Sequence, residues 1–237
     1  MPKRALVLSG GGMFGAWQAG AWSVLSGRFR PDLVVGASVG SLNGYAIASG
    51  ASPRQLCDRW RHPEDVSLAR LNQTIAKLIS APLVLDYAVV LTDLLTMKPV
   101  TVRGAHVTAA HLAASCAVPV AKLPVRVNGR WYADGGLLNP LPVFAAVELG
   151  ATEILALHAL PSLPGFVLRW LAKPFLAVFG HKPPLPRDVR LVTLMPPRRL
   201  GSWRDAIYWD EANARRWLRE GAAAAEKNIS TLDCLLG

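Results

Sequence analysis

At 237 residues, with 51% hydrophobic residues and a mean hydropathy of +0.27, the chain can bury the core of one large α/β domain. Its formal charge of +10 calls for an anionic partner, which nucleic acid, an anionic membrane or a phosphate-bearing substrate would each satisfy. Three separated cysteines, Cys57, Cys116 and Cys234, form no CxxC pair; they imply neither a disulfide framework nor a zinc site, and reduced thiols in the cytoplasm are expected.

Lys3 and Arg4 precede an apolar run, as in a secretory signal, but four residues later the run meets Ser9-Gly10-Gly11-Gly12. A signal core needs about 7–15 apolar residues. Residues 33–53 lack charge yet carry Gly36, Gly40, Gly44 and Gly50, a poor composition for a membrane span. Neither a signal peptide nor a transmembrane helix is expected.

The first 50 residues predict two strand–turn–helix units. Arg4–Leu8 leads through a glycine loop into a helix over 16–25, and 32–35 leads through Gly36 into a small-residue helix over 39–49. Continuous apolar strands alternating with helices predict a mostly parallel sheet covered on both faces, a three-layer α/β/α fold in a single domain. Residues 54–97 read as mostly helical, with apolar residues at three- and four-residue spacings over 71–95; core helices and a cap over the site both fit. An alanine-rich helix follows over 107–116. Residues 125–132 predict a β-hairpin, because Asn128-Gly129 favours a type I′ turn between alternating residues. A helix over 143–149 precedes a buried strand over 153–158. A late strand over 191–194 and a basic amphipathic helix over 205–227 complete the chain.

The chemistry gathers at glycine-rich turns. Gly36-Ala37-Ser38-Val39-Gly40 is a G-x-S-x-G pentapeptide at a strand–helix junction, a setting that lifts a nucleophilic serine out at the top of a sheet. Gly10, Gly11, Gly12 and Gly15 fit G-x-G-x-x-G, which also suits a dinucleotide. That fingerprint requires an acidic residue at the exit of the second strand, whereas Asp32 precedes this strand and Ser38 leaves it. The loop better suits backbone N–H donors aimed at an oxyanion. For the base, a Ser–Asp–His triad would use Asp134 with His158 or His181, but Ser38 follows only the second strand, too early for that fold. His62, His106 and His111 likewise lack motif context. Asp134 leaves a hairpin strand into Gly135-Gly136, where a tight turn fixes its carboxylate.

With these motifs in hand, the chain resembles the bacterial patatin-like phospholipases. The resemblance rests on LVLSGGGMFG at 6–15, DLVVGASVGSLNG at 32–44, AASCAVP at 113–119 and ADGGLLNPLP at 133–142, across roughly residues 4–160. It implies a lipid acyl hydrolase with Ser38 as nucleophile, Asp134 as base without histidine, and Gly10, Gly11 and Gly12 as the oxyanion hole. Gly15, Gly36, Gly40, Gly135 and Gly136 support the turns. No metal or other cofactor is implied, and the partner is a lipid or acyl-ester substrate. One departure stands out: many relatives carry Arg or Lys where this chain has Phe14. Carboxylesterase or thioesterase action on smaller acyl esters, or lipid binding without catalysis, are the alternatives. Nucleic-acid binding has only the charge in its favour, with no aromatic–basic recognition motif.

A lipid hydrolase meets its substrate at a surface. Residues 165–180 place Arg169 and Lys173 among Phe166, Trp170, Phe175 and Phe179, too short to span but suited to a lid, a peripheral anchor on an anionic membrane, or a core helix.

Overall fold

The computed structural model describes residues 2–66, 68–118, 122–160, 184–230 and 233. Strand β1 (Arg4–Leu8) enters helix α1 (Gly15–Leu25) through the glycine loop, and β2 (Leu33–Ala37) enters α2 (Val39–Ala48) through Ser38. Asp32 lies at the opposite end of the sheet from the glycine loop, where its N–H donates to Arg4 O and its carboxylate accepts from Arg4 N. A ribose-binding carboxylate therefore does not stand beside the glycines.

Helices α3 (Pro53–Arg59), α4 (Pro63–Val66) and α5 (Leu71–Ile79) follow, and there the helical expectation for 54–97 ends. Residues 86–93 form β3 (Asp86–Asp93), not helix, and β4 (Lys98–Arg103) follows just beyond that range. The physical reason is that β3 is buried along seven of its eight positions. A strand covered on both faces shows no alternation, and its apolar run imitates helical spacing. Helix α5 buries Leu71, Thr74 and Ile75 against α2 and α6, so it is a core helix.

Helix α6 (Ala109–Ser115) is shorter than the expected 107–116, because Thr108 and His111 close a reciprocal cap at its start. The hairpin forms as β5 (Val125–Val127) and β6 (Arg130–Asp134), with Asn128 and Gly129 both at positive φ, as a type I′ turn demands. Helix α7 (Val143–Glu148), β7 (Glu153–Leu157) and β8 (Arg190–Leu194) come next. The expected final helix is two: α8 (Trp203–Ile207) and α9 (Glu211–Lys227), the second capped by Asp210, whose side chain accepts from Asn213 N.

The described strands form one eight-stranded sheet, ordered β5-β6-β3-β2-β1-β7-β8, with β4 also on β3. The pairings of β1 with β2 and β7, of β2 with β3 and of β7 with β8 are parallel; those made by β4, β5 and β6 are antiparallel. Alternate residues feed two cores. Leu6, Leu8, Val34 and Leu155 pack beneath α1, α2 and α9, whereas Ala5, Val7, Val35 and Ile154 pack beneath α7. Helices α1 and α9 cross closely: a side chain on Gly20 would strike Leu218 O, and one on Gly221 would strike Trp17 O. Segment 165–180, His181 and Cys234 lie outside the described residues. Among the described residues, no helix is long and apolar enough to cross a membrane.

Candidate active site

The site is set by how β3 divides one of its edges. Over its first residues β3 pairs with β2, ending with Ala37 opposite Val90. One residue later the same edge passes to β6, beginning with Asp134 opposite Leu91. The two strands therefore stack end to end along β3, and Ser38 and Asp134 meet at the junction.

Ser38 holds φ 53° and ψ −132°, a backbone state costing on the order of 1–3 kcal/mol for a residue with a side chain. Two close approaches sustain it: a Cβ on Gly36 would lie 2.3 Å from Gly40 O, and one on Gly40 would lie 2.4 Å from Leu8 O. Glycine at both positions lets α2 start directly against β1 and β2. Ser41 then closes the first turn by donating its Oγ–H to Ser38 O at 2.6 Å.

Asp134 is held on both sides of its backbone. Its N–H donates to Ala117 O at 3.0 Å, and its carbonyl accepts from Thr92 Oγ1 at 2.8 Å. The carboxylate Oδ1 accepts from Gly136 N at 2.7 Å, whereas Oδ2 is buried without a partner in hydrogen-bonding geometry. Burial pushes this carboxyl from the ordinary 3.8 up to about 7; the nearby Ser38 side chain and the Gly136 amide pull the other way. A carboxyl raised this far binds a proton more strongly than a hydrated aspartate does, and its Oδ2 carries no hydrogen bond.

The glycine loop converges on the same point. A Cβ on Gly10 would come 3.3 Å from Ser38 Cβ and 3.8 Å from Gly136 Cα, so the three motifs touch. Its amides are not equivalent. Gly10 N–H donates to Pro140 O at 2.9 Å, so this amide is engaged within the protein. Among the described residues no loop or turn bond of this kind is made by the N–H groups of Gly11 and Gly12, where the loop turns at φ 153° and φ 57°. Gly15 starts α1 against the Trp60 ring.

Residues to which the sequence assigned no role hold this arrangement. Ser115 of α6 accepts from Ser38 N at 2.9 Å and donates to Val90 O at 2.8 Å, so one hydroxyl ties the nucleophile turn to β3. Beneath the glycine loop runs a buried chain. Trp60 Nε1 donates to Asn43 Oδ1, Asn43 Nδ2 to Gln18 Oε1, and Gln18 Nε2 to Ser9 O. Ser9 Oγ in turn accepts from Ala159 N at 2.9 Å. Such a fully paired network fixes loop geometry where an apolar core would not. The pentapeptide context around Asn43 hinted at it; Gln18 and Trp60 offered no hint.

Phe14 is no part of the open site. It is 2% exposed and packs edge-on against Trp217 of α9. His158 follows β7, and β1 separates β7 from β2, so it does not join Ser38 and Asp134. His111 is engaged by Thr108. Cys116 is buried near Asp134, and burial drives its thiol up to about 12, leaving it inert. Among the described residues no cluster of three or more His, Cys, Asp or Glu is placed to hold a metal ion.

A mostly parallel α/β sheet with a strained serine at the carboxyl end of a strand, beside a buried carboxyl and a glycine loop, defines a hydrolase-like α/β architecture. Residues 6–88 and 107–147 match the family model described as patatin-like phospholipase, and the chain belongs to that family. It is 29% identical over 203 residues to an uncharacterized NTE family protein of Mycobacterium tuberculosis, covering 72% of this chain and 55% of that one. An uncharacterized NTE family protein of Mycobacterium bovis matches to the same extent. The chain thus spans about half the length of the curated relatives it matches. In fold it is similar to VipD from Legionella pneumophila, with a TM-score of 0.57 at 14% identity, covering 97% of this chain and 67% of that one. Human GIVD cytosolic phospholipase A2 gives a TM-score of 0.52 at 11% identity, covering 99% and 59%.

Proposed function

We propose that the chain hydrolyses carboxylic ester bonds of lipids by acyl transfer through Ser38, with Asp134 as general base. The observation that carries this reading is the end-to-end stacking of β2 and β6 on β3, which sets a strained serine beside a buried carboxyl raised to about 7. Asp134 Oδ2 takes the hydroxyl proton as Ser38 Oγ attacks the ester carbonyl. The N–H groups of Gly11 and Gly12 receive the charge that develops on the carbonyl oxygen. The leaving alcohol departs with the proton from Asp134, and a water, deprotonated by the same carboxylate, releases the acid and restores Ser38.

Membership of the patatin-like phospholipase family supports a lipid acyl ester of the phospholipid or lysophospholipid type. A second reading, small carboxylic or thioesters, draws on Phe14: its buried ring removes the cation that many relatives would place beside the loop. Hydrolysis of a short p-nitrophenyl ester by wild type, Ser38→Ala and Asp134→Asn tests the chemistry. Both variants should lose at least a thousandfold in kcat (about 4 kcal/mol of barrier); equal rates in all three would falsify the dyad. Parallel assays on diacyl phospholipid, monoacyl phospholipid and triacylglycerol decide between the two substrate readings.

A further inference from the structure

The outer rim of the catalytic edge carries apolar side chains that the core does not use. Leu95, Leu123 and Trp131 expose 79, 84 and 52% of their surface. All three are tied to β6, the strand that ends at Asp134. Trp131 belongs to it, and Trp131 O accepts from Leu94 N, which fixes the β3–β4 turn beside it. Leu123 precedes β5 by two residues, and Val125 of β5 pairs with Tyr132. Because β6 runs antiparallel to β3, its first residues lie beyond the carboxyl end of β3, above the Ser38–Asp134 junction. The other flank repeats the pattern. A side chain on Gly12 would strike Ala206 O, so α8 sits on the glycine loop, and Trp203 and Tyr208 at the ends of α8 are exposed.

Around Leu95, Leu123 and Trp131 the neighbouring chain carries charge of one sign. Segments 94–98 and 122–131 hold Lys98, Lys122, Arg126 and Arg130 and no carboxylate. The neighbouring Asp93 is occupied by Arg130 and by the amides of Leu95 and Thr96. The α8 flank is mixed, with Arg204 beside Asp205 and Asp210, so the cationic part of the rim is the β3–β4 and β5–β6 side. Exposed Leu and Trp among Lys98, Lys122 and Arg126 match the headgroup boundary of an anionic bilayer, where aromatic and aliphatic groups enter the acyl region and cations meet phosphate.

We propose that this rim, contributed by the β3–β4 turn, the β5–β6 hairpin and α8, is the surface by which the chain docks on an anionic lipid membrane, with Ser38 facing the bilayer. The proposal rests on the lipid hydrolase reading for its purpose but not for its test. Docking in this orientation brings the ester to the serine without extracting the lipid, and leaves the sheet's amino edge in water.

The test is vesicle co-sedimentation of the full chain carrying Ser38→Ala, so that no lipid is consumed. Vesicles of phosphatidylcholine alone are compared with vesicles containing phosphatidylglycerol. Binding should be at least tenfold tighter to the anionic vesicles. The triple variant Leu95→Ser/Leu123→Ser/Trp131→Ser should weaken it at least tenfold, and Lys98→Gln/Lys122→Gln/Arg126→Gln should abolish the preference for phosphatidylglycerol. With Ser38 restored, both variants should hydrolyse a soluble ester within about twofold of wild type, which shows that they fold. Unchanged vesicle binding by the triple variant overturns the docking surface, as does wild type that ignores both vesicles. A wild-type dimer that the triple variant dissociates, with vesicle binding untouched, assigns the rim to a second copy and overturns it too. Docking with no lipid hydrolysis would instead remove the hydrolase reading and leave the surface standing.

Discussion

Phe14 and Trp217 meet edge to face, with ring centroids 5.0 Å apart and planes at 89°. Phe14 ends the glycine loop and Trp217 belongs to the α9 helix, so this contact joins the glycine loop to α9. Trp217 Nε1 also donates to Leu200 O at 3.0 Å, which leaves the indole no freedom to turn. At Phe14, where the family resemblance leads one to expect a cation, the side chain is given over to packing.

Restoring the cation should therefore damage the protein rather than improve it. Phe14→Ala is expected to lose about 3–5 kcal/mol, as for other buried aromatic truncations. Phe14→Arg should lose at least as much, because a guanidinium would be buried among apolar groups without a carboxylate. Chemical denaturation of both variants checks this; an unchanged midpoint for Phe14→Arg would show that the side chain can reach solvent.

Asp134 should impose opposite pH trends on activity and stability. Its carboxyl is raised from 3.8 to about 7, so the folded chain favours the neutral acid while the unfolded chain gives up its proton sooner. The stability this group contributes is complete below about pH 4 and is lost as pH rises through about 7. Asp134→Asn should lack that decline in denaturation experiments across the window. Activity requires the ionised base, so kcat/KM on a soluble ester should rise with an inflection near pH 7. An inflection near the ordinary 3.8 would mean that the carboxyl is hydrated in solution.

Ser115 is a positioning residue. In Ser115→Ala, Ser38 N and Val90 O both lose their shared partner in a buried setting. A loss of about 1–3 kcal/mol of stability is expected. Displacing the nucleophile turn should lower kcat about tenfold to a hundredfold with little change in KM. Equal kcat for variant and wild type would reduce Ser115 to a structural role.

Gly12 ties the glycine loop to α8. With φ 57° and a would-be Cβ 2.0 Å from Ala206 O, Gly12→Ala must push α8 off the loop or distort the loop itself. Ester hydrolysis should fall at least tenfold, and about 1–3 kcal/mol of stability should go with it. Gly27→Ala, where nothing lies within 4 Å, is the matched control and should stay close to wild type in both measurements.

Local order along the chain was enough to find the two strand–glycine–helix units, the Asn128-Gly129 hairpin and the serine at its turn. Each is governed by neighbours within a few residues: a run of apolar side chains, a glycine that alone tolerates a close backbone, a pair of residues suited to positive φ. Those constraints are written where they act. The pairing of Ser38 with Asp134 is of another kind. It depends on β3 handing one edge from β2 to β6 between Val90 and Leu91, a register that only the assembled sheet sets. Residues 86–93 misled the reading because burial on both faces erases the period that marks a strand. Gly10 looked equivalent to its neighbours until Pro140 O took its amide, and Ser115 acquires its task only where α6 reaches β3. Sequence by itself determined which residues could do the chemistry, because backbone strain and hydrophobic runs are local. Only the tertiary structure decided which of them meet, what each amide is free to do, and how basic Asp134 becomes, because partners and desolvation come from segments far apart in the chain.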